Sequence, residues 1–466
     1  MSLQRTIVIV GAGFSGTVVA ANLLRSQHWA PARIVLIERS ANVARGKAYA
    51  KREYPYLLNV PAGRMSADAG APLDFLDFAR QRIPGATAED FLPRALYGEY
   101  LEEILLDAEV SAPPHVQFDR IRGDVCALSQ VDSGYRLHLT DGRTLKANDV
   151  VLALGNPPPT QLPGTESLEY YIADPWSQPC SFRPGETVLL VGNGLTMADV
   201  AVAAAASSNE RIVIHSISRH GLVPPSQTQF GQAGCKGDSA ALLRVASFSA
   251  LTLFRSARQL AEETEQRGGD WREAVTFIRN IAPALWQRLP ARERRRLLRH
   301  IRPYWDIHRH RLPNETLAKL THLRRREKLH IHAGRLVRFE TVSDQVAVTW
   351  RPRGGRKSRT MLVDRVVNCT GPDYNVRRSR EPLMLSLLSQ GLIVPDAHDL
   401  GIRTGAYGAL INARGRAATN LFYVGPMLRA DHWEATAAQE LRGHAERLAS
   451  YLVAPVGRLQ TAAALA

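Results

Sequence analysis

The sequence predicts an α/β fold of two Rossmann-like dinucleotide-binding units, and three observations carry that expectation. The first is residues 6–16, TIVIVGAGFSG; the second is residues 187–199, TVLLVGNGLTMAD; the third is a strand order that recurs after both. Thr6, Ile7, Val8, Ile9 and Val10 form a continuous β-branched run, the pattern of a strand buried on both faces of a parallel sheet. The run leads straight into Gly11, Gly13 and Gly16 and then a helix-like stretch over residues 17–25. The first glycine serves a tight turn, the second lets the backbone approach a pyrophosphate, and the third allows close helix-on-strand packing. The helix N-terminus then offers free N–H groups and a favourable dipole to negative charge. A second strand, residues 33–37, ends in Glu38, whose carboxylate can accept the ribose hydroxyls of an adenosine.

Composition sets the outer limits. A chain of 466 residues with 45% hydrophobic residues can bury more than one core, so two or three domains are expected. No apolar run reaches the ~18 residues of a membrane span, so no membrane association is expected. The first strand begins close to Met1, so no signal peptide is expected. Cys126, Cys180, Cys235 and Cys369 are far apart, with no Cys-x-x-Cys pair and no metal-ligand spacing. A reducing, cytoplasmic location without a bound metal is the expectation, and a dithiol reductase is disfavoured. The formal net charge of +15 comes mostly from arginine, densest between Arg288 and Lys328, with Arg294, Arg295, Arg296, Arg324, Arg325 and Arg326. With no nucleic-acid motif and no interleaved stacking aromatics, this region reads first as a solvated helical face. Anion steering and nonspecific polyanion binding are the other readings.

After Glu38 come two loop-like stretches, ARGKAYA at 44–50 and LLNVPAGRMSA at 57–67, in which Asn59, Arg64 and Ser66 can hydrogen-bond a cofactor or substrate. A helix is expected from Phe91, then a third parallel strand over 116–118 and a meander over 125–129, 135–139 and 144–146. Residues 150–154 return to the sheet beside the first strand and close on Gly155, and the Asn156-Pro157-Pro158-Pro159 run reads as a domain exit.

The second turn carries Gly192 and Gly194, with Thr196 on the following helix and Met197 at the third glycine position, a variant of the fingerprint. The next strand ends in Ser218, Arg219 and His220 without a carboxylate, so a 2′-phosphate, and NADPH over NADH, is favoured. Residues 329–371 repeat the order of 115–155 and end in Gly371. Between the copies, residues 240–322 read as a helical insertion holding Trp305, His308 and His310; the two histidines, two apart, do not share a helix face. Expected boundaries are 1–160 for the first part of the first dinucleotide-binding domain, 161–371 for the second, inserted domain and 372–466 for the remainder of the first. In that last segment 421–424 reads as a buried strand, and Asp431 with Glu434 as the capped start of a helix that follows Gly425 and Pro426. A helix start there could stabilise negative charge on a reduced flavin.

The stretches VGAGFSG, AYA, LLNVPAGRMSA, PRALYGEYL, VLALGN, VGNGLTMAD, HRHRLP, VVNCTGP and GPMLRADHWEATAAQELR span the chain and resemble bacterial FAD/NAD(P)-binding proteins of the YdhS kind. That family resembles in turn the flavin N-hydroxylases and other class B monooxygenases. The resemblance implies FAD on Gly11, Gly13, Gly16 and Glu38, with its ring near 59–66 and 425–436. It implies NAD(P)H on Gly192, Gly194, Thr196 and Arg219, and crossovers at Gly155 and Gly371. Val125, Ser218, Glu434 and Thr436 complete the candidate cofactor contacts, and Arg64, His308 and His432 are the candidates at the reaction site. The implied activity is NAD(P)H-dependent reduction of FAD followed by dioxygen-dependent hydroxylation of a small molecule, which the basic balance suggests is anionic. A non-oxygenating flavin reductase or oxidase, and a flavin-binding regulatory protein, fit the same residues.

Overall fold

The computed structural model describes residues 5–178, 180–227 and 235–454. Its contacts divide the chain into two units, Met1–Pro157 with Tyr374–Ala466, and Pro158–Asp373.

In the first unit the opening apolar run is β1 (Arg5–Val10), joined by α1 (Phe14–Arg25) to the parallel β2 (Ala32–Glu38). After α2 (Asp74–Arg82) and α3 (Arg94–Val110), β3 (Val116–Arg122) pairs in parallel with β2 along its length. The third strand is therefore longer than the apolar residues 116–118 alone indicate. The helix expected from Phe91 starts instead at Arg94, after Pro93. Proline holds its predecessor extended, and Arg94 donates its N–H to the Tyr56 carbonyl at 2.8 Å. The antiparallel meander is β4 (Val125–Val131), β5 (Gly134–Leu139) and β6 (Thr144–Ala147). The wholly buried β7 (Asp149–Leu152) then pairs in parallel on the free side of β1.

The second unit repeats this plan. It contains β8 (Tyr171–Ile172), β9 (Thr187–Val191), α4 (Leu195–Ser207) and β10 (Val213–Ser218). A helical stretch follows: α5 (Ser239–Ala246), α6 (Ala250–Gln266), α7 (Trp271–Arg288), α8 (Ala291–Arg296), a π turn at Leu297–Ile301, α9 (Arg302–Arg309) and α10 (Asn314–Arg325). The last of these packs on α4 and leads into β11 (Leu329–Val342), as α3 packs on α1 and leads into β3. It is thus the crossover helix of the unit, and the insertion ends before it rather than at residue 322. Strands β12 (Gln345–Pro352), β13 (Arg359–Val363) and β14 (Arg365–Asn368) complete a sheet of order β13-β12-β11-β10-β9-β14-β8. The copies differ at one joint. In the first, β3 and β4 are separate strands in separate sheets; in the second, β11 alone pairs in parallel with β10 and antiparallel with β12.

The C-terminal segment contributes α11 (Pro382–Ser389), β15 (Ala409–Ile411), β16 (Ala417–Tyr423) and α12 (Ala438–Val453) to the first unit. Its sheet then reads β15-β16-β7-β1-β2-β3, parallel except for β15. Val18, Val19, Leu23 and Leu24 of α1 share a buried cluster with Leu441, Ala445, Leu448 and Leu452 of α12. At ~1.5–3 kcal/mol for each fully buried aliphatic side chain, this cluster ties the C-terminal helix to the first glycine turn.

Candidate functional site

The two glycine turns are built alike. Gly11 has φ +100° and donates its N–H to the Ile37 carbonyl at 2.8 Å; Gly192 has φ +114° and donates to Ile217 at 2.8 Å. Ala153 and Cys369, at the ends of β7 and β14, donate in turn to Val10 and Val191, each at 2.8 Å. A side chain at Gly11 would strike the Ala153 carbonyl, and one at Gly192 the Cys369 carbonyl. Gly13 and Gly194 stand at the N-caps of α1 and α4 with extended backbones. Neither helix has a side-chain cap or an acid in its first turn, so both N-termini present their N–H groups outward.

The surroundings of the turns diverge. A Cβ on Gly13 would lie 3.6 Å from the Cα of Gly46, so loop 44–50 passes over the first cradle where neither partner has a side chain. The Glu38 carboxylate accepts the Ala12 N–H at 2.8 Å and the Ser40 N–H at 2.9 Å, which holds it at the mouth of the turn. A side chain on Gly16 would strike the Gly11 carbonyl, so the third glycine lets α1 close on its own turn. In the second unit a fully buried Met197 takes that place and the space beside Gly194 is open. Asn193, 4% exposed, accepts the Ser216 hydroxyl at 2.6 Å, while its Nδ2 is buried without a hydrogen-bond partner among the described residues. Thr196 is half-buried in the first turn of α4. At the end of β10, Ser218 accepts the Gly221 N–H at 3.0 Å and Arg219 is exposed. Burial, Arg353 and Arg219 together push the His220 imidazole below its ordinary pKa. Arg353 therefore joins Arg219 beside the β10 terminus, a position that no local sequence pattern signals.

Loop 57–67 is pinned from outside: Leu58, Ala62 and Gly63 donate to Leu92, Asp90 and Ala88 at 2.8, 2.9 and 2.9 Å. Asn59 is half-buried and Arg64 exposed. Ser66 is 1% exposed and bonds its own loop, donating to the Asp68 and Ala71 carbonyls at 2.7 Å. Val125 is buried against Leu139 in the meander. Gly155 (φ +68°) and Gly371 (φ +83°) have open space where a Cβ would stand.

The C-terminal stretch departs from the expected helix. Gly425 (φ +155°) opens a short 3-10 turn, Pro426–Ala430, and α12 begins only at Ala438. Asp431 caps no helix, because its carboxylate is taken by the Thr404 N–H at 2.8 Å and hydroxyl at 3.2 Å. Glu434 is buried in the intervening turn, where its carbonyl accepts the Thr436 N–H at 2.6 Å. His432 lies 4.7 Å from the His444 ring; burial pushes both imidazoles down, His444 to about 3. His308 belongs to the other unit, where its Nδ1 meets the Tyr304 carbonyl at 2.7 Å and its ring the Trp271 edge at 5.1 Å. Arg64 and His432 thus belong to the first unit and His308 to the second. Among the described residues no group of three or more His, Cys, Asp or Glu can hold a metal ion. No described helix is long and apolar enough to cross a membrane.

Residues 8–157 match the family model described as FAD-NAD(P)-binding. No curated protein matches the chain. Among solved structures it is similar to the ornithine N-hydroxylase of Kutzneria sp. 744, described with reduced FAD, NADP+ and L-ornithine, at TM-score 0.63 and 15% identity over 97% of this chain and 99% of that one. It is also similar to the L-lysine 6-monooxygenase of Pseudomonas syringae, at TM-score 0.63 and 15% identity over 96% and 98%. The FAD-bound cadaverine monooxygenase of Erwinia amylovora gives TM-score 0.61 and 13% identity over 98% and 96%. At these identities the likeness is one of fold, and the fold is that of two Rossmann-like units. The residues around each turn have to carry the chemistry.

Proposed function

We propose that this chain is an FAD-dependent, NADPH-using monooxygenase that hydroxylates a small molecule. One observation carries the reading: the chain holds two glycine turns with the same backbone bonds, one with a carboxylate at its mouth and the other with arginines beside the end of the neighbouring strand. Gly11, Gly13 and Gly16 fit a diphosphate on the α1 N-terminus, and Glu38 stands where ribose hydroxyls would donate. Gly192 and Gly194 repeat the cradle for a pyridine nucleotide. The orphaned Asn193 Nδ2 offers it a buried donor, and Arg219 with Arg353 would pair a 2′-phosphate. Bound FAD, once reduced by NADPH, supplies the activation of dioxygen. The protein's part is to hold and shield: loop 44–50 covers the first cradle, and Asn59, Arg64 and His432 are the first-unit groups available to orient substrate or flavin. Burial lowers the His432 pKa and so favours its neutral imidazole, which can hydrogen-bond as donor or acceptor. The likeness to ornithine, lysine and cadaverine hydroxylases supports this reaction class.

The experiment is anaerobic titration of the purified flavoprotein with NADPH and NADH, followed by oxygen and candidate substrates. Flavin bleaching by NADPH, and oxygen uptake matched one to one by hydroxylated product, are expected. Oxygen uptake that yields only hydrogen peroxide with every substrate would favour the oxidase reading. A flavin that neither nucleotide reduces would refute the catalytic scheme.

A further inference from the structure

The arginine-rich region that ends at Lys328 lies largely on exposed faces, with Arg295, Arg296, Arg324, Arg325 and Arg326 open to solvent, and acids are interspersed with it, as where Arg296 meets Glu293 at 2.7 Å. A shorter stretch farther along is basic without such relief. Residues 351–359, RPRGGRKSR, carry Arg351, Arg353, Arg356, Lys357 and Arg359, and the whole hairpin 345–363 contains no acid. All five side chains are exposed, and none forms an ion pair among the described residues. The strand register adds a further charge. Arg335 of β11, also exposed, stands directly opposite Arg351 of β12, a cross-strand pair of like charges that costs the hairpin stability.

The fold fixes this turn beside the end of β10. Strand β11 runs parallel to β10 as far as Ala333, the register partner of Ser218. The carbonyl of the same Ala333 accepts the Arg353 N–H at 2.8 Å, and a side chain on Gly221 would strike the Ala333 Cβ. The basic turn therefore borders Arg219, at the C-terminal edge of the parallel strands, where ligands of doubly wound sheets bind. Each exposed cation taken singly contributes little held affinity, because water and salt screen it. Like charges gathered at one edge act together, and their summed field reaches about a Debye length into solvent and raises the arrival rate of anions. A turn of this kind governs association more than residence.

We infer that turn 351–359, together with Arg335, is an electrostatic guide that draws a phosphorylated nucleotide to the end of β10 and speeds its association without gripping it once bound. Arg353, nearest the strand end, is where guidance passes into the held contact with the 2′-phosphate. The inference rests on the proposed reading of the second unit as the NADPH unit.

The test is stopped-flow association of NADPH with the full-length flavoprotein, followed by nucleotide fluorescence, from about 50 to 500 mM sodium chloride. The wild-type association rate constant should fall roughly tenfold over that range, and that of NADH, which lacks the 2′-phosphate, should fall less. At about 100 mM salt the double variant Arg356→Glu, Lys357→Glu should associate at least about threefold more slowly, with its dissociation rate constant unchanged. The double variant Arg324→Glu, Arg325→Glu changes net charge equally from beyond the other end of β11, about 13 Å or more from Ala333 at ~3.3 Å per residue, and should associate as the wild type does. Circular dichroism checks folding, and Arg356→Gln, Lys357→Gln repeats the test without introducing acids. Unchanged association in the turn variants, an equal loss in the α10 variant, or a loss carried by dissociation alone would overturn the guide, while NADPH binding itself would uphold the nucleotide reading. No NADPH binding by the wild type would remove both. Binding of single-stranded DNA that depends on Arg356 and Lys357, with NADPH association untouched, would overturn the inference and assign the turn to nucleic acid.

Discussion

Replacing His215 by valine should abolish most of an acid instability built into the second unit. His215 on β10 stacks on His330 at 5.0 Å, and its Nδ1 meets the His332 Nε2 at 3.0 Å; His332 in turn lies 5.0 Å from Trp350. Burial, then the His332 and His330 charges, lower the His215 pKa from 6.5 to about 4. His332 is lowered too, by burial, His330 and Arg359. An unfolded chain takes up these protons below about pH 6.5, whereas the folded one resists until about pH 4. The stabilisation is therefore complete above pH 6.5 and is lost as the pH falls from 6.5 towards 4. A shift from 6.5 to about 4 corresponds to on the order of 3 kcal/mol; because His215 is only half-buried, about half of that is expected after solvent screening. The matched position in the first unit is the buried Val35, so valine suits the site. The assay is urea unfolding followed by circular dichroism at intervals from pH 4 to 8. The wild type should lose stability steadily below pH 6.5, and His215→Val should show a slope flatter by roughly 1–2 kcal/mol over that range. Equal slopes would refute the coupling. Because Ile217, two residues on, holds the Gly192 N–H, nucleotide affinity should weaken over the same pH range.

Glu38→Ala removes the acceptor of the Ala12 and Ser40 N–H groups as well as the proposed ribose contact, so FAD affinity should fall at least tenfold, read from the flavin retained through gel filtration. Gly192→Ala forces a side chain at φ +114° against the Cys369 carbonyl; the protein should keep FAD yet lose reduction by NADPH, followed as anaerobic bleaching. Arg219→Gln and Arg353→Gln should each raise the KM for NADPH roughly tenfold and leave that for NADH unchanged, and a parallel rise for both nucleotides would remove the 2′-phosphate assignment.

The parts of the fold legible in the sequence are those set by local physics. An apolar β-branched run followed by glycine at a position of positive φ specifies a strand and its turn with no knowledge of the rest of the chain, and both turns and the meanders follow from such patterns. Features that depend on which distant partner arrives first in space were not legible. Asp431 and Glu434 have the spacing of a capped helix start, but Thr404, 27 residues earlier, claims the Asp431 carboxylate and the helix waits until Ala438. Ser66 reads as a free hydroxyl in a polar loop, and the same loop turns back and consumes it.

The two copies keep what the turn needs and change what the ligand sees. Gly11 and Gly192, with the carbonyls of Ile37 and Ile217 and the strand ends at Ala153 and Cys369, repeat bond for bond. That machinery is backbone, and backbone geometry tolerates no substitution where a Cβ would meet a carbonyl. At the next layer the copies part. Glu38 at the end of β2 is answered in β10 by Ser218 and Arg219, and Val35, Asp119 and Ile121 by His215, His330 and His332. An acid suits neutral ribose hydroxyls, which donate; arginine suits a phosphate, which accepts. On the proposed reading, the sign of the charge at one strand end directs the adenosine of FAD to the first copy and the phosphorylated adenosine of NADPH to the second. Exchanging Glu38 for arginine should therefore expel FAD without unfolding the sheet, since the strand that carries it is held by β1 and β3 along its whole length.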